Sequence, residues 1–594
     1  MRVSLDNGAV RVAAFLCFLI ALIVACYWQV GELDFVWDDQ AFLVEQQGVR
    51  AAHSLYELMF KPFFISADYY RPLVVLSYAV QYQIAGLTAA DFHWGNVIIH
   101  CANSVILALI ALKIARVQGV SSVWGMLVAL FYALSPAMVE AVAWVSGRFD
   151  LMMTSFVLLA LYCDVSLKDG WLKALLIGFF FIVAALCKET AIGFALCYPF
   201  WRLWLRSLEE KEAGLKFVFS AWKTYLSIFI AGVLYLLLRI VSMGYLVSGS
   251  VYNDYGSGFQ RLLLSCKALV AYSWVAIFPY GKISPFHYQA FPVPANDLGG
   301  LVSLAIVAVF FILLVLAWRL GRRYCVFAAL AFFFSILAAL HLFQTPLQDN
   351  LIQKRYLQFP LALLLTMLLI TVGRFWQVTR PFKVSLSALA CIALVASCAN
   401  ILVTVPLWKN SLTLWTWATK SSPESSAVWS NMAAAYQENG QYDEAIESAR
   451  HALHMGGRKT TLAAALITLG NVENVRGNLD KAAEYYLQSF EQSREQPGAL
   501  VNMLIVLIRM REYESAKWYI DTASNFSRAL EEPYFFFNCG LYYLSLGDKA
   551  RASEYFDKAV LMVDESRRDG IAKSAQDYLS GKRKIIYWEK ATSG

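Results

Sequence analysis

Residues Phe35-Val36-Trp37-Asp38-Asp39 set two adjacent carboxylates just beyond the first long apolar run of the chain. That run is almost uncharged from Val12 to about Val30, is led in by Arg11, and is long enough to cross a bilayer at about 1.5 Å rise per residue. The acids therefore emerge at a membrane surface, with Phe35 and Trp37 suited to the interface. A carboxylate there can take the proton of an incoming hydroxyl while a second substrate waits in lipid. A solvated loop could carry the same five residues, so the rest of the chain has to decide.

Other ionisable residues stand at the ends of apolar segments. Glu140 follows Ser135-Pro136, and Arg148 and Asp150 lie in the tight turn Ser146-Gly147-Arg148-Phe149-Asp150. Lys188-Glu189 form a further turn, Arg239 closes another apolar run, and Lys354-Arg355-Tyr356 precede the next to last one. Charges at such depth are costly and usually mark a pathway or a site. Taken singly, Arg148 with Asp150 or Lys188 with Glu189 could be surface pairs of small energetic weight. Their gathering on the side that holds Asp38 and Asp39 favours a site.

The elements that must position these residues are apolar helices. Spans are expected near 12–30, 95–115, 122–142, 150–166, 171–187, 190–205, 217–240, 299–318, 324–343, 356–373 and 384–405. Two more apolar stretches, 72–87 and 262–279, are interrupted or flanked by polar residues. The basic loops are Lys113 with Arg116, Lys168, Arg202 through Lys216, Arg319 with Arg322 and Arg323, and Arg374 with Arg380 and Lys383. All fall on one side only if neither stretch crosses, which gives about eleven crossings with a cytoplasmic N-terminus. The loop 31–94, the stretch 241–298, the loop 344–355 and the C-terminal part then share the opposite side. The stretches 72–87 and 262–279 become interfacial or re-entrant helices beside the acids.

Composition supports this division. Of 594 residues, 59% are hydrophobic and only 16% charged, too few charges for an ordinary soluble protein. Apolar residues dominate up to about Val405, after which Glu, Lys, Arg, Asn and Gln become frequent. The net charge of +7 comes without a basic tract, so nucleic acid is not an expected partner. Ten of the eleven cysteines lie in apolar stretches and no CxxC or HExxH-type spacing occurs, so no structural zinc or redox motif is expected; the acidic pair could bridge a divalent metal, but no His stands at ligand spacing and none is invoked. The first apolar run exceeds a signal-peptide core and reads as an anchor. A single Asn-Phe-Ser sequon begins at Asn525.

From Ser426 to about Met562 the sequence repeats with a period of about 34–37 residues. Trp429, Met432, Ala433, Tyr436, Gly440, Tyr442, Ala445 and Ala452 form the first copy. Leu469, Gly470, Gly477, Ala482 and Tyr486 form the second, and Tyr513 with Ala516 a weaker third. Cys539, Gly540, Tyr543, Gly547, Ala552, Phe556 and Ala559 form the fourth. This is the tetratricopeptide pattern, in which small residues let two helices approach and aromatics fill the gap between hairpins. The expected architecture is all-α: a polytopic membrane domain over 1–405, a linker over 406–423, and a tetratricopeptide-repeat α-solenoid over 424–594 outside the cytoplasm.

Several motifs follow one another along the membrane part: Trp37-Asp38-Asp39, Tyr70-Arg71-Pro72-Leu73, Phe92-His93-Trp94-Gly95-Asn96 through His100, Ser135 through Ala143, Gly147 through Leu151, Lys188-Glu189-Thr190 and Arg355-Tyr356-Leu357. In this order, with the repeats behind them, they resemble the transmembrane and tetratricopeptide-repeat (TMTC) protein O-mannosyltransferases, within the wider GT-C glycosyltransferase class. The resemblance implies transfer of a mannose-like sugar, with inversion, from a polyprenyl (dolichyl-type) phosphate to Ser or Thr hydroxyls of a protein. The spans give a multi-pass membrane location, and the compact loops point to a bacterial inner membrane with the repeats in the periplasm, the endoplasmic reticulum membrane being the eukaryotic alternative.

A neutral hydroxyl is a poor nucleophile, so one acid should act as general base, with Asp39 preferred and Asp38 positioning. The departing phosphate needs cations. Arg355 is the first choice, followed by Lys188, Arg239 and Arg148. Glu140 is placed to orient the acceptor or hold one of these cations, with Glu189, Asp150 and His93 in support. A glycosyltransferase acting on a lipid-linked glycan and a non-catalytic scaffold presenting the repeats are the alternatives. A transporter would show charges near mid-span and symmetry between halves, and neither is present.

Overall fold

A computed structural model describes residues 7–44, 54–61, 69–209, 215–245, 255–280, 284–342, 349–375, 380–493, 497–523, 533–563 and 565–587. Asn525 lies outside them. Among the described residues the chain is helical throughout, with one isolated β-bridge between Tyr288 and Asn350. It divides into two compact units at Leu414 and Trp415, inside the stretch expected to be a linker. That stretch is itself helical, with a 3-10 turn at Val405–Trp408 and a helix at Ser411–Ser421.

In the first unit, seven helices among the described residues are long and apolar enough to cross a membrane: Gly8–Glu32, Ala89–Val117, Val145–Ser166, Trp222–Met243, Leu298–Arg319, Lys354–Phe375 and Val384–Trp408. An eighth is counted if Ser122–Ala133 and Pro136–Ala143, bent by 43°, form one span. The eleven expected crossings are therefore not all matched by helices of spanning length. Trp171–Cys187 and Arg323–Ala339 are apolar but shorter, and Ile192–Leu208 carries Arg202 and Arg206 within its 17 residues. Pro72–Ala85 has only 14 residues.

Helices Ala89–Val117 and Arg148–Ser166 pack against each other, and the first also packs against Asn7–Tyr27 and Ser122–Ala133. Leu19, Ile23, Cys26 and Tyr27 recur at helical spacing and turn one face of the first helix inward. Lipid is as apolar as these side chains, so close packing and interhelical hydrogen bonds must hold the bundle. The break after Ala143 is secured in that way. Asn96 donates to the carbonyls of Trp144 (2.8 Å), Val145 (3.2 Å) and Ala141 (3.4 Å) around the break. Gly147 permits the tight return, since a Cβ there would fall 2.3 Å from the Ala141 carbonyl oxygen.

The second unit is a series of helical hairpins. Tyr486 and Phe556 fill the space left by Gly470 and Gly540, where a Cβ would come within 2.5 and 2.6 Å of the rings. Gly440, Gly477 and Gly547 turn their hairpins with positive φ. In the third repeat Arg511 occupies that conformation, at φ 64°, which accounts for the weak signature of this copy.

Candidate active site

Four helix ends of the first unit meet around the loop that follows the first span. Ala89–Val117 contributes His93 and Asn96 near its start, and Arg148–Ser166 contributes Asp150 in its first turn. Trp171–Cys187 ends at Lys188, and the 3-10 turn Lys354–Leu357 leads into Gln358–Phe375. The loop itself is anchored from several directions. His93 Nε2 lies 3.2 Å from the Asp34 carbonyl, Asp34 N–H donates to the Lys409 carbonyl (2.8 Å), and Trp144 Nε1 donates to the Val36 carbonyl (3.3 Å). Trp37, at φ 56°, stacks on Trp144 with ring centroids 5.0 Å apart.

The two acids have different surroundings. Asp39 is fully buried and saturated: Ser146 N–H (2.8 Å) and Oγ (2.5 Å) donate to Oδ1, and Val36 N–H (3.3 Å) donates to Oδ2. Burial pushes its carboxyl up to about 7 against these hydrogen bonds, and the neighbouring Asp38 charge adds to the rise. Asp38 is half-buried and, among the described residues, receives no hydrogen bond. Burial raises it to about 6, while Arg355 and then Arg71 pull the other way. Sequence prefers Asp39 as base and Asp38 for positioning; the hydrogen bonds found here fall on Asp39. Asp39 is held as a structural anchor, and Asp38 keeps its lone pairs available.

The cations pair with the supporting acids. Lys188 Nζ lies 2.7 Å from both oxygens of Asp150 and 4.1 Å from the centre of the Tyr356 ring. Arg355 Nη1 donates to Glu140 Oε1 (2.7 Å), its Nε lies 3.7 Å from Asp150 Oδ2, and its guanidinium covers Trp144 at 4.7 Å. Glu140 Oε2 accepts the backbone N–H of Lys354 (2.9 Å), so one carboxylate fixes both residues of the turn.

Arg71, in the Tyr70-Arg71-Pro72-Leu73 motif and without a role assignable from sequence, belongs to the cluster. Its Nε (3.1 Å) and Nη2 (2.6 Å) form a two-pronged pair with Glu189, and the guanidinium lies against the rings of Tyr69 (4.2 Å) and Phe149 (4.6 Å). Its position before a helix-starting proline, in the same loop region as the acids, was the available signal. Arg239 is half-buried near Tyr235, whose ring packs on Tyr70. Arg148 leaves the expected phosphate-binding set. It is buried, donates to Asn96 Oδ1 (2.9 Å) and the Phe92 carbonyl (2.8 Å), and lies 4.7 Å from the Tyr78 ring centre.

Comparison with known proteins matches both the repeats and a longer stretch of the chain. Residues 424–495 and 534–562 match tetratricopeptide-repeat family models. The chain is similar to protein O-mannosyl-transferase TMTC3 of Mus musculus, 29% identical over 195 residues, covering 30% of this chain and 21% of that protein. It is 32% identical over 182 residues to Tmtc1 of Drosophila melanogaster, covering 29% and 21%. It is also 30% identical over 197 residues to TMTC4 of Homo sapiens, covering 28% and 26%. The chain therefore spans about a fifth to a quarter of the length of these curated relatives. A solved tetratricopeptide-repeat protein, YrrB, is 15% identical over 34% of this chain and 96% of its own, with a TM-score of 0.22. This is a helical membrane protein with tetratricopeptide repeats that resembles the TMTC-type protein O-mannosyl-transferases.

Proposed function

We propose that the chain is a GT-C-type glycosyltransferase that moves a mannose-like sugar from a polyprenyl monophosphate to a Ser or Thr hydroxyl of a protein. The observation that carries this reading is the half-buried carboxylate of Asp38, which receives no hydrogen bond among the described residues and lies within electrostatic reach of Arg355 and Arg71. A base and an anion-stabilising wall are the two requirements of displacement at a sugar carbon with a phosphate leaving group.

In the proposed step the acceptor oxygen attacks the anomeric carbon and its proton passes to Asp38. The bond from that carbon to the phosphate oxygen breaks, and the electron pair leaves with the lipid phosphate. Asp38 then returns its proton to water. Arg355 and Lys188 offset the charge growing on the departing oxygens, held in place by Glu140 and Asp150. Asp39 and His93 hold the loop. The site end of Ala89–Val117 is opposite Lys113 and Arg116, and the site end of Arg148–Ser166 is opposite Lys168. This polarity supports an extracytoplasmic site. The repeats recruit the acceptor protein in this reading.

The test is incubation of purified protein with a panel of lipid-monophosphate sugars and a Ser/Thr-rich peptide, read by peptide mass. One hexose added per event is expected, with release of the lipid phosphate. Transfer only to a lipid-linked glycan, or to nothing, would remove the reading.

A further inference from the structure

The cations of the cluster are not equally committed. Arg71 is held by Glu189, Lys188 by both oxygens of Asp150, and Arg355 by Glu140. Lys354 differs. Its backbone N–H is fixed by Glu140 at 2.9 Å, yet among the described residues its ammonium has no hydrogen bond and no carboxylate within ion-pair distance. It is nevertheless half-buried, one residue before Arg355.

A desolvated charge without a hydrogen-bonding partner is costly, and Glu140 attracts this one only at longer range. No carboxylate of the cluster can relieve it cheaply. Glu140 uses one oxygen for Arg355 and the other for the Lys354 backbone, Lys188 occupies Asp150, and Ser146 with Val36 occupies Asp39. Asp38 has free lone pairs, but the cations it senses are Arg355 and Arg71. Among the described residues the Lys354 ammonium is thus left open to an anion from outside the chain.

We infer that Lys354 is the residue that grips the donor phosphate directly, while Arg355, held by Glu140, shapes the turn and adds its positive field from that position. This rests on the reading of the chain as a lipid-phosphate glycosyltransferase. As the sugar departs, a phosphodiester becomes a monoester and its negative charge grows. An ammonium on a flexible stem with no prior partner can follow that charge. Arg355 would first have to give up its 2.7 Å contact with Glu140.

The experiment uses the purified full chain, its Lys354→Gln and Lys354→Arg variants, a short-chain polyprenyl-phosphate mannose as donor and the matching polyprenyl monophosphate as a direct binding probe. Lys354→Gln is expected to raise the donor KM and the Kd for the monophosphate about ten- to a hundredfold, the scale of one lost charge-assisted hydrogen bond. The KM for the acceptor peptide should stay within twofold, the unfolding temperature should not fall, and Lys354→Arg should restore most of the affinity. If wild type transfers sugar while Lys354→Gln matches it in donor KM and monophosphate Kd, Lys354 is not the phosphate grip and the glycosyltransferase reading stands. If wild type binds the monophosphate through Lys354 but transfers nothing, the anion site stands and the transfer reading falls. If wild type does not bind the monophosphate at all, the inference is overturned.

Discussion

Helix Arg148–Ser166 carries a buried acid near each end, Asp150 and Asp164, about 21 Å apart at the usual helical rise. At the Asp164 end, Lys173 Nζ (2.8 Å), Arg202 Nη1 (3.0 Å), Tyr198 Oη (2.8 Å) and Trp201 Nε1 (3.0 Å) all converge on the carboxylate. Lys173 and Arg202 also share Asp169, at 2.9 and 3.1 Å, so two cations are balanced by two acids. At the Asp150 end the pairing is unfinished among the described residues, where the Asp38 carboxylate and the Lys354 ammonium have no hydrogen bond. Buried charge marks both ends alike. What distinguishes a site from a staple here is the group left over after the ion pairs are counted.

The largest expected effect is on turnover. Asp38→Asn should lower the rate of sugar transfer about a hundred- to ten-thousandfold, the usual scale for a positioned base, in an assay with saturating donor. Its effect on stability should have the opposite sign. The folded-state pKa of Asp38, about 6, lies above the ordinary carboxylate value of 3.8, so its ionised form opposes folding above about pH 6. At pH 7.5 the neutral Asn variant should therefore melt no lower than wild type.

Asp164→Asn should behave in the reverse way. Removing one acid from the closed network leaves Lys173 and Arg202 buried with only Asp169, a loss of about 3 kcal/mol seen as a lower unfolding temperature. Transfer per folded molecule should stay near wild type. Equal damage to turnover from this variant would erase the distinction between the two ends.

The acids and cations at the Asp150 end were visible in the sequence because charges stand out in an apolar background. Their pairing was not. Arg71 meets Glu189 across 118 residues, and nothing local announces that Ser146 saturates Asp39 while leaving Asp38 open. Arg148 looked like a phosphate ligand because Asn96, which occupies it, is an uncharged residue on another helix. The repeats were legible because their signature is local, and the weak copy coincides with Arg511 at positive φ. The number of crossings was the least legible feature. Apolar composition alone does not distinguish a full span from a 17-residue helix such as Trp171–Cys187.

Titration sharpens the comparison further. A base must be ionised, so transfer at low substrate concentrations should fall about tenfold per pH unit below pH 6 and level off above it. The residual rate of Asp38→Asn should lack that step. A pH–rate profile of the two proteins in the same buffers checks both statements.

The smallest effect is expected in the second unit. A hollow of about 660 Å³ there is lined by Ile505, Tyr534, Phe537, Leu541, Tyr578 and Arg583, and Tyr534 is half-exposed. If the repeats recruit acceptor through it, Tyr534→Ala should raise the KM for a protein acceptor about three- to tenfold, a typical cost for an interface aromatic, and leave a short peptide acceptor unaffected. Parallel kinetics with the two acceptors would show it, and an equal change in both would count against recruitment.

The central claim is most directly tested by measuring single-turnover transfer and unfolding temperature together for wild type, Asp38→Asn and Asp164→Asn at pH 7.5. The account predicts a crossed pattern: Asp38→Asn loses at least about a hundredfold in transfer and keeps its stability, whereas Asp164→Asn loses stability and keeps transfer per folded molecule. Near-wild-type transfer by Asp38→Asn would contradict it.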